Sequence, residues 1–304
     1  DMKVDQGNWY DAGENDDNYT RAVQLGDAND LDAILKGDRN EITFKQEGFA
    51  NVIKGFGSQP ENAWTEDPFI YEGDDSWIHI EQVGAFNLVQ GDIRASNQVV
   101  DVYQESATEL DDNTAEIFVR GSLGDPATQT IDVDQVGKNY SDIDIWGNGN
   151  EVTHDQYGRD PDGNAIGQND AFTHIYGDGN MSRIEQEGGN EGTRNFAMHK
   201  MGASEGEVSG NEAKTKQDGR ANYAFVQQMT DDNYARQVQD AWKGVPGAGD
   251  ATNEAERNHS SIIQMGGDYN MAETYQFGDA NYVDIMQYGT ENVASTDQGI
   301  WDQE

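Results

Sequence analysis

Asn and Gln recur through this chain at a fixed step, Asn-x5-Gln-x4-Asn-x5-Gln, most plainly in Asn270, Gln276, Asn281, Gln287, Asn292 and Gln298. A step of 11 residues, sustained from Asn18 to Gln298, predicts a stack of equivalent short strands in place of one globular core. With each Asn counted as position 0, Asn40-Glu-Ile42-Thr-Phe44-Lys-Gln46-Glu-Gly48 gives the template: apolar residues at +2 and +4, Gln at +6, Gly at +8. Alternation by two is the pattern of a strand with one buried face. Gly at +8 supplies the positive φ of a sharp reversal. There are 21 such segments between Asn18 and Asn292, with Ser or Gln in place of Asn at 76, 98 and 129.

The five prolines, Pro60, Pro68, Pro126, Pro161 and Pro246, all fall between templates. Proline donates nothing to a sheet ladder, so the templates read as strands and the stretches between them as surface loops. Insertions are expected near 57–75, 105–112, 121–128, 158–168, 188–194, 202–210 and 243–257, within one repetitive domain over 1–304.

A second period lies over the first. Position +6 holds Gln24, Gln46, Gln82, Gln104, Gln135, Gln156, Gln186 and Gln217 in every other segment, and Leu35, Gly57, Ile93, Val119, Ile145, Ile175 and Met201 in the segments between. From Asn222 onward both sets carry Gln, at Gln228, Gln239, Gln264, Gln276, Gln287 and Gln298. The fold predicted is therefore all-β: a two-sheet β-solenoid of stacked 22-residue coils, each made of two 11-residue strand-turn halves, cross-β along its axis. Ten to eleven coils at ~4.8 Å each span about 50 Å. A buried Gln is tolerated because each amide bonds the ones above and below, where an unmade bond would cost ~1 to 3 kcal/mol. The ladder residues expected are these Gln together with Asn29, Asn40, Asn51, Asn180, Asn211, Asn222, Asn270, Asn281 and Asn292.

The Gln-x4-Asn-x5-Gln spacing, with Gly two residues after Gln, resembles the curlin repeat of curli, the extracellular amyloid fibres of bacterial biofilms. The resemblance covers nearly the whole chain. It implies a secreted fibre subunit that polymerises with itself, as a major subunit, a nucleator or a specialised relative, in a system that can include a nucleator and a secretion pore. The chain departs from the family pattern in three ways: Asn stands where curlins usually begin a repeat with Ser, one set of segments lacks Gln through Met201, and the repeats are more numerous and more interrupted. No Gly-rich export segment is evident at the start, and a chain opening on Asp1 reads as a mature, processed form.

Composition narrows the partners. Zero Cys argues against disulfide staples, thiolate metal sites and covalent c-type haem, and a formal net charge of −39 argues against nucleic acid and anionic membrane. No apolar run approaches the ~20 residues of a membrane span. The acids read as a solvated surface that opposes sideways aggregation, with loosely held cations or a salty habitat as the sharper reading.

No catalytic constellation and no cofactor site emerge. Gly177-Asp-Gly-Asn180 hints at calcium-binding glycine–aspartate repeats, but those step by nine residues. His79, His154, His174, His199 and His259 are scattered, and His154 and His199 at +4 are expected inside as hydrogen-bonded core residues. Outward aromatics such as Tyr223, Phe225, Tyr275 and Tyr282 read as cross-strand ladders or as an adhesive face. The expected product is an extracellular filament whose subunits join end to end, with Trp9 and Trp301 covering the junction. Its rivals are a monomeric solenoid adhesin or a cation- or ice-binding protein, and a carbohydrate-active β-helix enzyme. Regular Thr-x-Thr faces, which ice binding would favour, are absent.

Overall fold

A computed structural model describes residues 2–6, 19–36, 41–53, 69–72, 77–93, 98–106, 113–119, 129–143, 145, 147, 149–157, 168–188, 195–202, 208–219, 221–240, 258–278 and 280–299. Among the described residues there are strands and turns and no helix. The chain alternates between two parallel sheets in sequence order, which is the two-sheet β-solenoid expected from the 11-residue step.

The first sheet stacks Met2–Gln6, Asp30–Lys36, Val52–Ile53, Leu88–Ile93, Thr114–Val119, Lys138–Ile143, Gln168–Ile175, Asn195–Met201, Asn222–Gln228, Asn258–Met265 and Tyr282–Tyr288, with Phe69–Glu72 at the level of Val52–Ile53. The second stacks Tyr19–Asp27, Glu41–Phe49, Trp77–Ala85, Gln98–Glu105, Gln129–Asp132, Glu151–Tyr157, Met181–Gly188, Glu212–Gly219, Tyr234–Asp240, Met271–Phe277 and Val293–Gln298, with Gln135–Val136 completing Gln129–Asp132. Each sheet thus has eleven levels. Register is kept by position, so that Ile42, Phe44 and Gln46 lie against Ile78, Ile80 and Gln82. These six side chains are buried, and the residues between them face out.

Among the described residues one form of reversal between the sheets recurs, a left-handed Gly followed two residues later by a left-handed residue. Gly48 has φ +119°, and a Cβ there would lie 1.9 Å from the Gly84 carbonyl oxygen, so neither the dihedral nor the space admits a side chain. Two residues later Ala50 is left-handed at φ 55°, as are Ala28 and Phe86 at the same place in their coils. Such a conformation costs a non-glycine residue roughly 1 to 2 kcal/mol, and it persists because the Asn that follows is clamped.

Three sequence expectations change here. The stretch 57–75 is not all loop, because Phe69–Glu72 returns to the first sheet and pairs Phe69 with Ala33 and Tyr71 with both Leu35 and Ile93. Tyr71, not Gly57, therefore holds the +6 place of that level, and Gly57 itself lies outside the described residues. The strand Met2–Gln6 adds a level below the first counted segment, with Gln6 in register with Leu35. The insertions near 105 and 188 begin later than expected, since Glu105 and Gly188 still end strands.

Candidate functional site

The contact that repeats between coils is built from columns of polar side chains, the first of them an Asn clamp. Asn51 Nδ2 donates to Asn29 Oδ1 at 3.2 Å and to the Gly84 carbonyl at 3.0 Å, and the Asn51 backbone N–H donates to the same Asn29 oxygen at 3.0 Å. Asn51 Nδ2 also donates to the Glu47 carbonyl of its own turn at 3.3 Å, and because Gly84 stacks above Gly48, one side chain ties its turn to the turns below and above. The pattern recurs through Asn87, Asn113, Asn139, Asn169, Asn195, Asn222, Asn258 and Asn281 in one column. A second column runs from Asn150 through Asn180, Asn211, Asn233, Asn270 and Asn292. In both columns every Asn donates to the coil nearer the N-terminus.

The Gln column of the second sheet runs the other way. Gln24 donates to Gln46, Gln46 to Gln82 and Gln82 to Gln104, at 2.6 to 2.9 Å. A further run links Gln156, Gln186, Gln217, Gln239, Gln276 and Gln298. In the first sheet Gln228, Gln264 and Gln287 form a shorter ladder. The second N–H of the amide bonds a backbone carbonyl of the facing sheet, as from Gln186 to the Asp170 oxygen at 3.0 Å. The column is not continuous at Gln135, which bonds only the Thr114 carbonyl. Its strand is broken at Val133 and Asp134, although Gln135 stays in backbone register with Gln104. Gln135, Gln156 and Gln228 each keep a buried Oε1 without a partner, and Gln156 and Gln228 each begin a ladder with no amide donating from below.

Inside the later coils a second polar column replaces apolar packing. Ser141, His154, Thr173, Ser182, His199, Thr215, Gln237, Ser260 and Thr274 are linked by successive hydrogen bonds of 2.5 to 3.1 Å, all crossing between the sheets except Thr215 to Gln237, which runs within the second. All nine are buried. Thr215 gives its proton to Gln237 Oε1, so it must accept from His199 Nε2–H. By the same logic Nδ1 of His199 accepts from Ser182, and His154 takes the same tautomer between Ser141 and Thr173. Burial pushes both imidazoles down to about 3, so both are neutral in ordinary buffers.

Outer faces differ between the sheets. On the first, Tyr140, Phe172, Phe196, Tyr223, His259 and Tyr282 form one aromatic column; the last four stack face to face at 4.6 to 4.9 Å with interplanar angles of 2° to 7°. On the second, Asp101, Asp132, Asp134 and Asp155 crowd together; burial and the neighbouring carboxylates raise Asp132 to about 6. Higher on the same face lie four of the chain's 19 basic residues, Arg183, Lys214, Lys216 and Arg236, lining a shallow groove. Arg183 pairs with Glu185 at 2.5 Å, Lys214 pairs with Glu212, and Arg236 lies over the Tyr275 ring at 5.5 Å. These basic residues sit at +3 and +5 of consecutive second-sheet segments, a column that sequence reading passed over.

Of the expected ladder residues, Asn40 lies outside the described residues, as do Trp9 and Trp301. Among the described residues no group of three or more His, Cys, Asp or Glu side chains is arranged to hold a metal ion. No protein-family model, no curated protein and no solved structure matches the chain.

Proposed function

We propose that this chain is a structural subunit of a curlin-like extracellular amyloid filament, which assembles by continuing its own coil stack from one copy to the next. The observation that carries this reading is the identity of the contact at successive levels. Coil after coil presents the same backbone edge and the same Asn donors, and nearly every second-sheet level presents the same Gln amide, so whatever stacks one coil on another also suits a coil from a second molecule. In this reading the acidic surface keeps filaments apart, and a nucleator and an export pore belong to the system. A second reading, a monomeric solenoid adhesin, draws on the aromatic column of the first sheet.

Negative-stain microscopy and fibre diffraction of the purified chain separate the two. Fibres with a meridional reflection near 4.7 Å and a sheet-type circular dichroism spectrum support the filament. Persistent monomers at high concentration and high salt would sink it and leave the adhesin.

A further inference from the structure

We propose that the outer face of the first sheet, over the levels Asn195–Met201, Asn222–Gln228 and Asn258–Met265, packs against the same face of a second copy and so joins filaments sideways in pairs. The inference rests on the filament reading above and goes further by naming a lateral surface and its partner.

The outward places of a segment are +1, +3 and +5. Over these three levels they carry Phe196, Met198, Tyr223, Phe225, His259 and Ile263, and no acid. The chain has 58 acids among its 304 residues, and no other two consecutive levels of the described residues lack one at these places. The patch continues at one side through Phe172 and at the other through Tyr282 and Met286, the last two 61% and 70% exposed. All the described strands belong to the two sheets of the solenoid, so none of them lies over this outer face.

The arrangement of the rings selects the partner. Phe196, Tyr223, His259 and Tyr282 stack on one another at 4.6 to 4.9 Å, so their faces are spent within the column and their edges point outward. A sugar ring lies on an exposed aromatic face, as a cation does, and these faces are taken. Ring edges beside the Met198 thioether suit another surface of edges and thioethers. Two copies of a chain with a formal net charge of −39 repel each other, and here they approach without setting carboxylate against carboxylate. Size decides the rest. Four steps of ~4.8 Å by five residues of ~3.3 Å, with side-chain margins, give about 400 Å² per partner. That is half of the ~800 Å² per partner in a standard stable interface. Single copies should therefore not dimerise through this face, whereas filaments, which repeat the contact once per subunit, should. Because a filament has one such face and acids oppose contact elsewhere, association should stop at two.

Negative-stain microscopy of four chains, assembled in salt high enough to screen the remaining acids, tests this. Met198→Asp with Phe225→Asp puts two charges on the proposed face. Gln227→Glu with Ser261→Glu does the same without removing an apolar side chain, and stands in if the first pair loses the sheet-type circular dichroism spectrum. Thr43→Asp with Ser295→Asp adds two charges of the same sign to the outer face of the second sheet. Unsubstituted chain and the second-sheet variant should give filaments two solenoids wide, and both first-sheet variants single ones. Unsubstituted filaments that stay single or bundle without limit, or pairs that persist in all four chains, overturn the face contact while leaving the filament standing. Unsubstituted chain that forms no filaments overturns the filament reading and the pairing with it.

Discussion

The ladder makes a graded prediction, because its Gln residues are not equivalent. Gln186 accepts from Gln156 at 2.8 Å, donates to Gln217 at 2.7 Å and donates to the Asp170 carbonyl at 3.0 Å. Gln186→Ala leaves three groups in the buried interior without this partner, at ~1 to 3 kcal/mol each, so the loss is ~3 kcal/mol even at the low end. Gln135 makes one bond, to the Thr114 carbonyl, and already carries a buried oxygen with no partner. Gln135→Ala strands one carbonyl and removes one stranded acceptor, so its net cost is within ~1 kcal/mol of zero. The denaturant midpoint of unassembled chain, followed by far-UV circular dichroism, ranks the two. A drop for Gln135→Ala equal to that for Gln186→Ala would refute the claim that amide-to-amide bonds, and not mere burial at +6, hold the coils in register.

Gly48→Ala should prevent its coil from closing, since the new Cβ would lie 1.9 Å from the Gly84 oxygen at φ +119°, whereas Gly179→Ala, at φ +63° with nothing within 4 Å, should cost only ~1 to 2 kcal/mol; comparable thermal midpoints for the two would show that turn crowding is not what selects glycine. His154 and His199 are held at about 3 against an ordinary 6.5, so the unfolded chain binds protons that the folded chain refuses. Stability should accordingly be full above pH 6.5 and fall as pH drops toward 3, by a few kcal/mol over that range; imidazole resonances of either residue titrating near 6.5 would contradict the buried wire. Assembly should quicken with added salt, because 58 acids face 19 bases and screening shortens their repulsion. Stopped-time light scattering against ionic strength reads this directly, and a flat profile would mean that the carboxylates are neutralised already.

Much of this was legible because Asn and Gln at fixed spacing leave few alternatives. The Asn residue closes one turn and clamps the next, and the alternation of Gln with apolar residues at +6 maps onto the two sheets through Met201. Phe69–Glu72 escaped because its insertion falls inside a strand, where the 11-residue count breaks, and a Phe-Ile-Tyr run far from any Asn carries no register of its own. The polar wire escaped for a different reason. Apart from the two histidines, its members at +2 and +4 are Ser, Thr and Gln, which look like weak matches to an apolar template until the facing sheet supplies their partners.

The wire also divides the solenoid into two kinds of core. In the earlier coils +2 and +4 hold Ile42, Phe44, Ile78, Ile80, Val100, Val102 and Ile131, all buried, and stability there comes from apolar area removed from water. Beyond Val152 most +2 residues shrink to Ala or Ser, as in Ala171, Ser182, Ala197, Ala213, Ala224, Ala235, Ser260 and Ala272, while +4 turns polar in Thr173, His199, Thr215, Gln237 and Thr274 and stays apolar in Ile184, Val226, Ile262 and Ile285. Apolar columns tolerate a slip of two residues along a strand, since one branched side chain replaces another. Amide and hydroxyl columns do not, because each slip strands a buried donor or acceptor. The later coils are therefore the part that enforces register. Direction is enforced as well. Every Gln link donates toward the C-terminal end of the stack and every Asn link toward the N-terminal end, so the two ends are chemically unlike. Two copies meeting at their C-terminal ends would set Gln donor against Gln donor and could not extend parallel sheets; a fibre built from this chain must point one way.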